Sequence, residues 1–390
     1  MSVRLSGKVA AFPDSVIRNM TMRNLRLHGP ARAVNFAQGF PDFEPPPEIV
    51  AAAQAALDRG GDYHQYAITW GAPTLRDAIA AYQSRVWDRP VDAENEISVV
   101  CGATEGMLAA LFTTVEPGDE VIVFEPFYEC YVPDTLLVGA RPRYVQLRPP
   151  DWRFDPDELR SAFTARTKAI IVNTPHNPTG KVFSRAELQL IAELDQERGV
   201  TPITDEIYEH LVYEGEHVSL ATLPGMAERT ITISGASKTY SVTGWRIGWL
   251  IAPPQLTAGI RKVHDYLTVG TAHPLQIAVA AGLRLPEAFY ERYLNEYRER
   301  RDLLVAGLNA RGFTVSSPAG AYYVMAGFSR LSQVDDVAFA EQLIETAGVA
   351  TVPGSSFYAH PELGRKHVRF SFPKRLETIE RGLEALAGIA

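Results

Sequence analysis

The chain has 390 residues, long enough for two or three domains, and its 46% hydrophobic and 22% charged content suits a protein that buries a large core. A formal net charge of −8 argues against nucleic acid as a partner, because phosphates are met by clustered lysine and arginine. No window approaches the roughly 18 apolar residues of a membrane span, and residues 1–11 lack the apolar stretch of a signal peptide.

Two cysteines are too few for a disulfide framework or a zinc cage, so no metal site is expected. Cys101 and Cys130 sit in apolar runs, read as packed thiols, and fit a reducing cytoplasm.

In chain order, short apolar runs alternate with helix-like segments. The strand-like runs are 97–101, 121–124, 169–173, 202–204, 230–234 and 247–251; rich in Val and Ile and without in-out alternation, they predict parallel strands covered on both faces. Small residues at Gly102, Ala103 and Thr104 open a helix that should end near Val115. Asp155, Pro156 and Glu158 predict a helix start with an N-cap, a proline at the first position and a capping-box acid; Ser184 and Glu187 repeat the capping pattern. The fold class is therefore α/β, doubly wound. After Pro286 the texture changes: a long charged helix over 287–310 stops before Gly312, followed by short strands and two amphipathic helices, the last over 376–386. The expected division is a large domain over 46–285 and a small α+β domain from 1–45 and 286–390.

The chemistry concentrates at strand ends. Lys238 lies in Ser234-Gly235-Ala236-Ser237-Lys238-Thr239-Tyr240, followed by Gly244-Trp245-Arg246-Ile247-Gly248. Small neighbours let a planar group approach the amine, and a desolvated lysine near other cations becomes a nucleophile toward aldehydes. Arg246 can grip an anion through parallel hydrogen bonds, and amides at the start of a helix make a phosphate site. Asp205, in Thr204-Asp205-Glu206-Ile207-Tyr208, would be a costly carboxylate at a buried strand end unless it meets a cation. Asn173-Thr174-Pro175-His176-Asn177-Pro178-Thr179-Gly180 is a turn with a candidate cis bond before Pro178. Glu125-Pro126-Phe127-Tyr128 places aromatics after another strand, and Arg369 sits on an alternating strand of the C-terminal lobe.

Together these motifs, in this order and over nearly the whole chain, resemble the class I and II aminotransferases, the fold-type I pyridoxal-phosphate enzymes. The resemblance implies a large domain with a mostly parallel central sheet flanked by helices, plus a smaller α+β domain. It implies pyridoxal 5′-phosphate held covalently by Lys238, with Lys238 also the general base and acid. Gly102, Ala103, Thr104, Ser237 and Arg246 would take the phosphate. The serine usual three places before the lysine is Gly235 here, which leaves the hydroxyl contact to Ser237.

Asp205 would pair with the ring nitrogen, Asn177 and Tyr208 with the ring oxygen, and Tyr128 would stack on the ring, with Phe127 the runner-up. Arg369 and Asn177 would hold the substrate α-carboxylate near the Gly39 backbone, in the loop Asn35-Phe36-Ala37-Gln38-Gly39-Phe40-Pro41-Asp42-Phe43. Tyr66 would reach the cofactor phosphate of a second copy, so a homodimer with shared sites is expected. The reaction implied is ping-pong transfer of an amino group from an L-amino acid to a 2-oxo acid. The loop and the Glu125–Tyr131 motif are most similar to the kynurenine, glutamine and methionine aminotransferase branch, with succinyl-diaminopimelate aminotransferases close rivals. A lyase, oxidase or cyclase on the same site is the alternative within enzymes. A cofactor-sensing regulator domain is the remote one, disfavoured because the N-terminus has no room for a DNA-binding module.

Overall fold

The computed structural model describes residues 6–389; the first residues of the segment read as lacking a signal peptide lie outside that range. Seven strands form the central sheet: Ile97–Val100, Glu120–Glu125, Arg141–Gln146, Thr167–Asn173, Thr201–Asp205, Ile231–Gly235 and Gly248–Ile251. From one edge their order is first, seventh, sixth, fifth, fourth, second, third. All pair in parallel except Gly248–Ile251, which runs antiparallel to both its neighbours.

Two details correct the reading from sequence. The run 247–251 is antiparallel: a strand covered on both faces is uniformly apolar whichever way it runs, so its composition carries no direction. Arg141–Gln146 went unread because it is the sheet edge, where alternate residues are exposed and polar. The strands between are buried along almost their whole length, each large aliphatic side chain contributing roughly 1.5–3 kcal/mol.

The helix starts divide similarly. Ser184 and Glu187 close a full capping box on Arg185–Arg198. Asp155 caps Pro156–Ala162 by accepting from the Asp157 amide. Glu158 is not a capping-box acid; it reaches back to the Gln146 amide and Arg148, tying the helix to the edge strand.

The second layer of structure is smaller. Tyr323–Gly327, Val352–Pro353 and His367–Ser371 form an antiparallel sheet. Val34–Asn35 pairs with Val349–Ala350, and the helix Val16–Arg32 lies against Asp336–Ala347, so the N-terminal segment packs on the C-terminal elements. The helix Glu287–Ala310 takes the predicted bounds. No described helix is long and apolar enough to cross a membrane. The strands ending at Asn173, Asp205 and Gly235 finish side by side, and the loops beyond them face the segment 37–40 and the strand bearing Arg369.

Candidate active site

A cavity of about 530 Å³ opens where those strand ends meet the small sheet, within the size range of small-molecule sites. Its wall includes Gly39, Ala103, Thr104, Tyr128, Asn177, Asp205, Tyr208, Ser237, Lys238, Arg246 and Arg369. Gly102 stands just behind the wall.

Lys238 belongs to the short helix Ala236–Thr239 that follows the strand Ile231–Gly235. Its Nζ donates to Gly39 O at 3.3 Å and lies 5.9 Å from the Tyr322 ring centre. Burial first, then Arg246 and Arg369, lower its pKa to about 8 against the pull of Asp205, so a free amine exists near neutral pH. At Gly235 space is tight: a Cβ there would meet Gly248 Cα and Ile247 O at 3.0 Å. Ser237 is buried and lines the cavity.

Asp205 ends its strand with both oxygens turned to neutral donors. Tyr131 Oη donates to Oδ2 at 2.7 Å and the Ile207 amide to Oδ1 at 3.3 Å. Burial nevertheless pushes its carboxyl up; a buried acid so placed gains from a cationic partner. The neighbouring Glu206 faces elsewhere, bonded to Thr204, His217 and Ser219. His176 bonds to Thr179 and lies off the cavity.

The anion end is built from the turn before Ala103–Thr114. Gly102 has φ +84°, and a Cβ on it would fall 2.3 Å from Arg246 Nη2. The guanidinium therefore sits directly over the turn, beside the amides that open the helix. Exposed amides, an arginine, a reactive amine and a buried acid on one cavity fit a phosphate-bearing aldehyde with a protonatable ring.

Arg369 is only 1% exposed. Its Nη1 donates to Asn177 Oδ1 at 2.8 Å and its Nη2 to Ala37 O at 2.7 Å, between the rings of Tyr323 and Phe357. Its Nε is buried without a partner, an unmet donor that a carboxylate would satisfy. The Asn177–Pro178 bond is cis.

Residues 31–386 match the family Aminotransferase class I and II. The chain is 43% identical over 370 residues to a probable N-succinyldiaminopimelate aminotransferase of Mycobacterium tuberculosis, covering 92% of each. It is 35% identical to human kynurenine–oxoglutarate transaminase 1, covering 94% of each. A solved structure from Escherichia coli, with an identified methionine aminotransferase function, superposes with a TM-score of 0.93 at 34% identity, covering 99% of this chain and all of that one.

The chain belongs to the class I and II aminotransferases. It is an enzyme of the fold-type I architecture that transfers an amino group to a 2-oxo acid, and the family's ping-pong scheme applies. Pyridoxal phosphate is that family's cofactor.

This aminotransferase also has residues in and around the cavity whose roles the motifs did not announce. Tyr131 holds Asp205; Tyr323 Oη pairs with Tyr208 Oη at 2.8 Å; Tyr322 Oη donates to Gly39 O at 2.8 Å. The double tyrosine after Gly320-Ala321 was the available signal. Cys130, read as a packed thiol, lines the cavity. Phe127 is buried against Tyr144 and leaves the wall to Tyr128. Lys374, 2% exposed, donates to Phe40 O at 2.7 Å and pins the 38–42 loop. Tyr66 is not brought to the cavity: its side chain is 85% exposed.

Proposed function

We propose that this aminotransferase carries pyridoxal 5′-phosphate on Lys238 and uses the same amine to move a proton at the substrate α-carbon. The observation that carries the reading is the Lys238 amine, its pKa lowered to about 8, in one cavity with the buried Asp205 carboxyl and the unsatisfied Nε of Arg369. The cofactor, when bound, supplies an electron sink that makes an α-proton removable.

In this reading the amides of Ala103 and Thr104 would hold the phosphate with Ser237 and Arg246, while Gly102, expected as a third donor, gives its amide to Val100 O at 2.7 Å and shapes the turn. Asp205, steadied by Tyr131, keeps the ring nitrogen protonated. Asn177 and Tyr208 donate to the ring oxygen, and Tyr128 covers the ring face. Arg369 orients the α-carboxylate with Asn177 and the Gly39 backbone. Lys238 would act as base and acid at the α-carbon.

The assembly expected is a homodimer in which Tyr66 of a second copy completes the phosphate site; its 85% exposure as a large aromatic side chain supports this. The pairing of Val34–Asn35 with Val349–Ala350 supports a small domain made of 1–45 and 286–390 beside a large one of 46–285. A reducing cytoplasmic location fits the free thiols Cys101 and Cys130.

The reading is tested by titrating apoprotein with pyridoxal phosphate across pH and trapping the adduct with borohydride. Because the lowered pKa leaves more free amine as pH rises, attachment should accelerate through about pH 8, level off above it, and label Lys238. A rate still climbing near pH 10, or a label elsewhere, would contradict it.

A further inference from the structure

Six charged side chains line the cavity: Arg18, Glu129, Asp205, Lys238, Arg246 and Arg369. The last four have roles in the reading above. Glu129 is engaged, its Oε1 accepting from Ser15 Oγ at 2.8 Å. Arg18 remains. Its main chain is fixed, since Ser15 Oγ caps its amide at 3.3 Å, and the adjacent Ile17 is buried in the same wall. Its guanidinium has no hydrogen bond or ion pair among the described residues.

Nothing local explains a cation there. Arg18 stands in the first turn of Val16–Arg32, which contains no acidic residue, and positive charge in a first turn opposes the helix dipole. Its guanidinium is exposed, whereas Arg369 on the same cavity is 1% exposed. One cavity thus has a buried arginine and an exposed one.

We propose that Arg18 sets the substrate class by binding a second carboxylate, at the far end of an amino acid or oxo acid whose α-carboxylate is on Arg369. The proposal rests on the role given to Arg369 above. A guanidinium is suited to this because it offers a planar fork to a carboxylate. Glu129 shares the wall but is bonded to Ser15 and makes no ion pair with Arg18, which leaves the guanidinium free for a substrate carboxylate. Partial solvent exposure keeps the effect moderate.

The test uses the holoenzyme, Arg18→Ala and Arg18→Lys. Arg18 is exposed, so neither change touches the core. Competitive inhibition by glutarate and by butyrate reads binding without turnover; KM and kcat with 2-oxoglutarate and 2-oxobutyrate read the reaction. Arg18→Ala should raise Ki for glutarate and KM for 2-oxoglutarate about tenfold, with kcat and both monocarboxylate constants unchanged, and Arg18→Lys should recover part of the loss. Equal changes for the two classes, or none, would overturn the proposal. Glutarate discrimination lost in Arg18→Ala, with butyrate binding unchanged in Arg369→Ala, would support the subsite while removing the α-carboxylate role of Arg369. Active transfer without discrimination would remove the subsite alone.

Discussion

Lys238→Ala is expected to lower the amino-transfer rate by about 10⁴-fold, with the protein still folded. Two functions are lost together: the nucleophile that holds the cofactor and the group that moves the α-proton, the latter alone worth roughly 10²–10⁴-fold. No other amine can substitute. Among the described residues burial also lowers the pKa of Lys374 and Lys181, but neither lines the cavity: Lys374 Nζ is held by Phe40 O at 2.7 Å and Lys181 Nζ by Glu187 at 2.8 Å. Lys238→Arg should be equally inactive, since a guanidinium stays protonated at working pH. Removing the side chain relieves a buried cation, so thermal stability should be unchanged or higher. The check is steady-state transfer beside a melting curve: activity within tenfold of wild type would mean that another group carries the proton.

Arg369→Ala is expected to cost about 10²–10³-fold in kcat/KM for amino acids, because truncating one partner of a buried charge pair leaves the other unpaired. The residue is doubly anchored, by Asn177 and Ala37 O, and lies between Tyr323 and Phe357. Arg369→Lys should restore little, because an ammonium cannot make the planar two-point contact. The discriminating control is an amine without a carboxylate, whose slow transfer should be the same in wild type and variant. Equal losses for both would place Arg369 in the scaffold rather than on the substrate.

Much of this was legible because the chemistry sits where buried strands end. Apolar runs located the strands, and residues at or just beyond their ends, Ala103, Asn177, Asp205 and Lys238, face one cavity because parallel strands end on one side of the sheet. Capping signals located helix starts where side chain and backbone are neighbours in sequence, as at Ser184 and Glu187. They misled at Glu158, whose better acceptor site was the Gln146 amide on an adjoining strand.

What stayed hidden depends on contacts distant in sequence. Tyr131 reads as a core aromatic until its hydroxyl is found on Asp205, and Tyr323 until its hydroxyl meets Tyr208, 115 residues away. Lys374 looks like a surface lysine beside Arg375, yet it is buried over the Phe40 ring at 4.2 Å. Arg18 carries no motif, and only the cavity wall singles it out. Tyr66 was placed by resemblance alone, and a single chain leaves it in solvent.

The most direct test of the central claim is a half-reaction. Purified enzyme saturated with pyridoxal phosphate is mixed with an L-amino acid and no oxo-acid acceptor, and the oxo acid released is counted per subunit. The account predicts one equivalent and then arrest, with turnover resuming when a 2-oxo acid is added. Continuous release without an acceptor, or no release from any amino acid until both substrates are present, would contradict it.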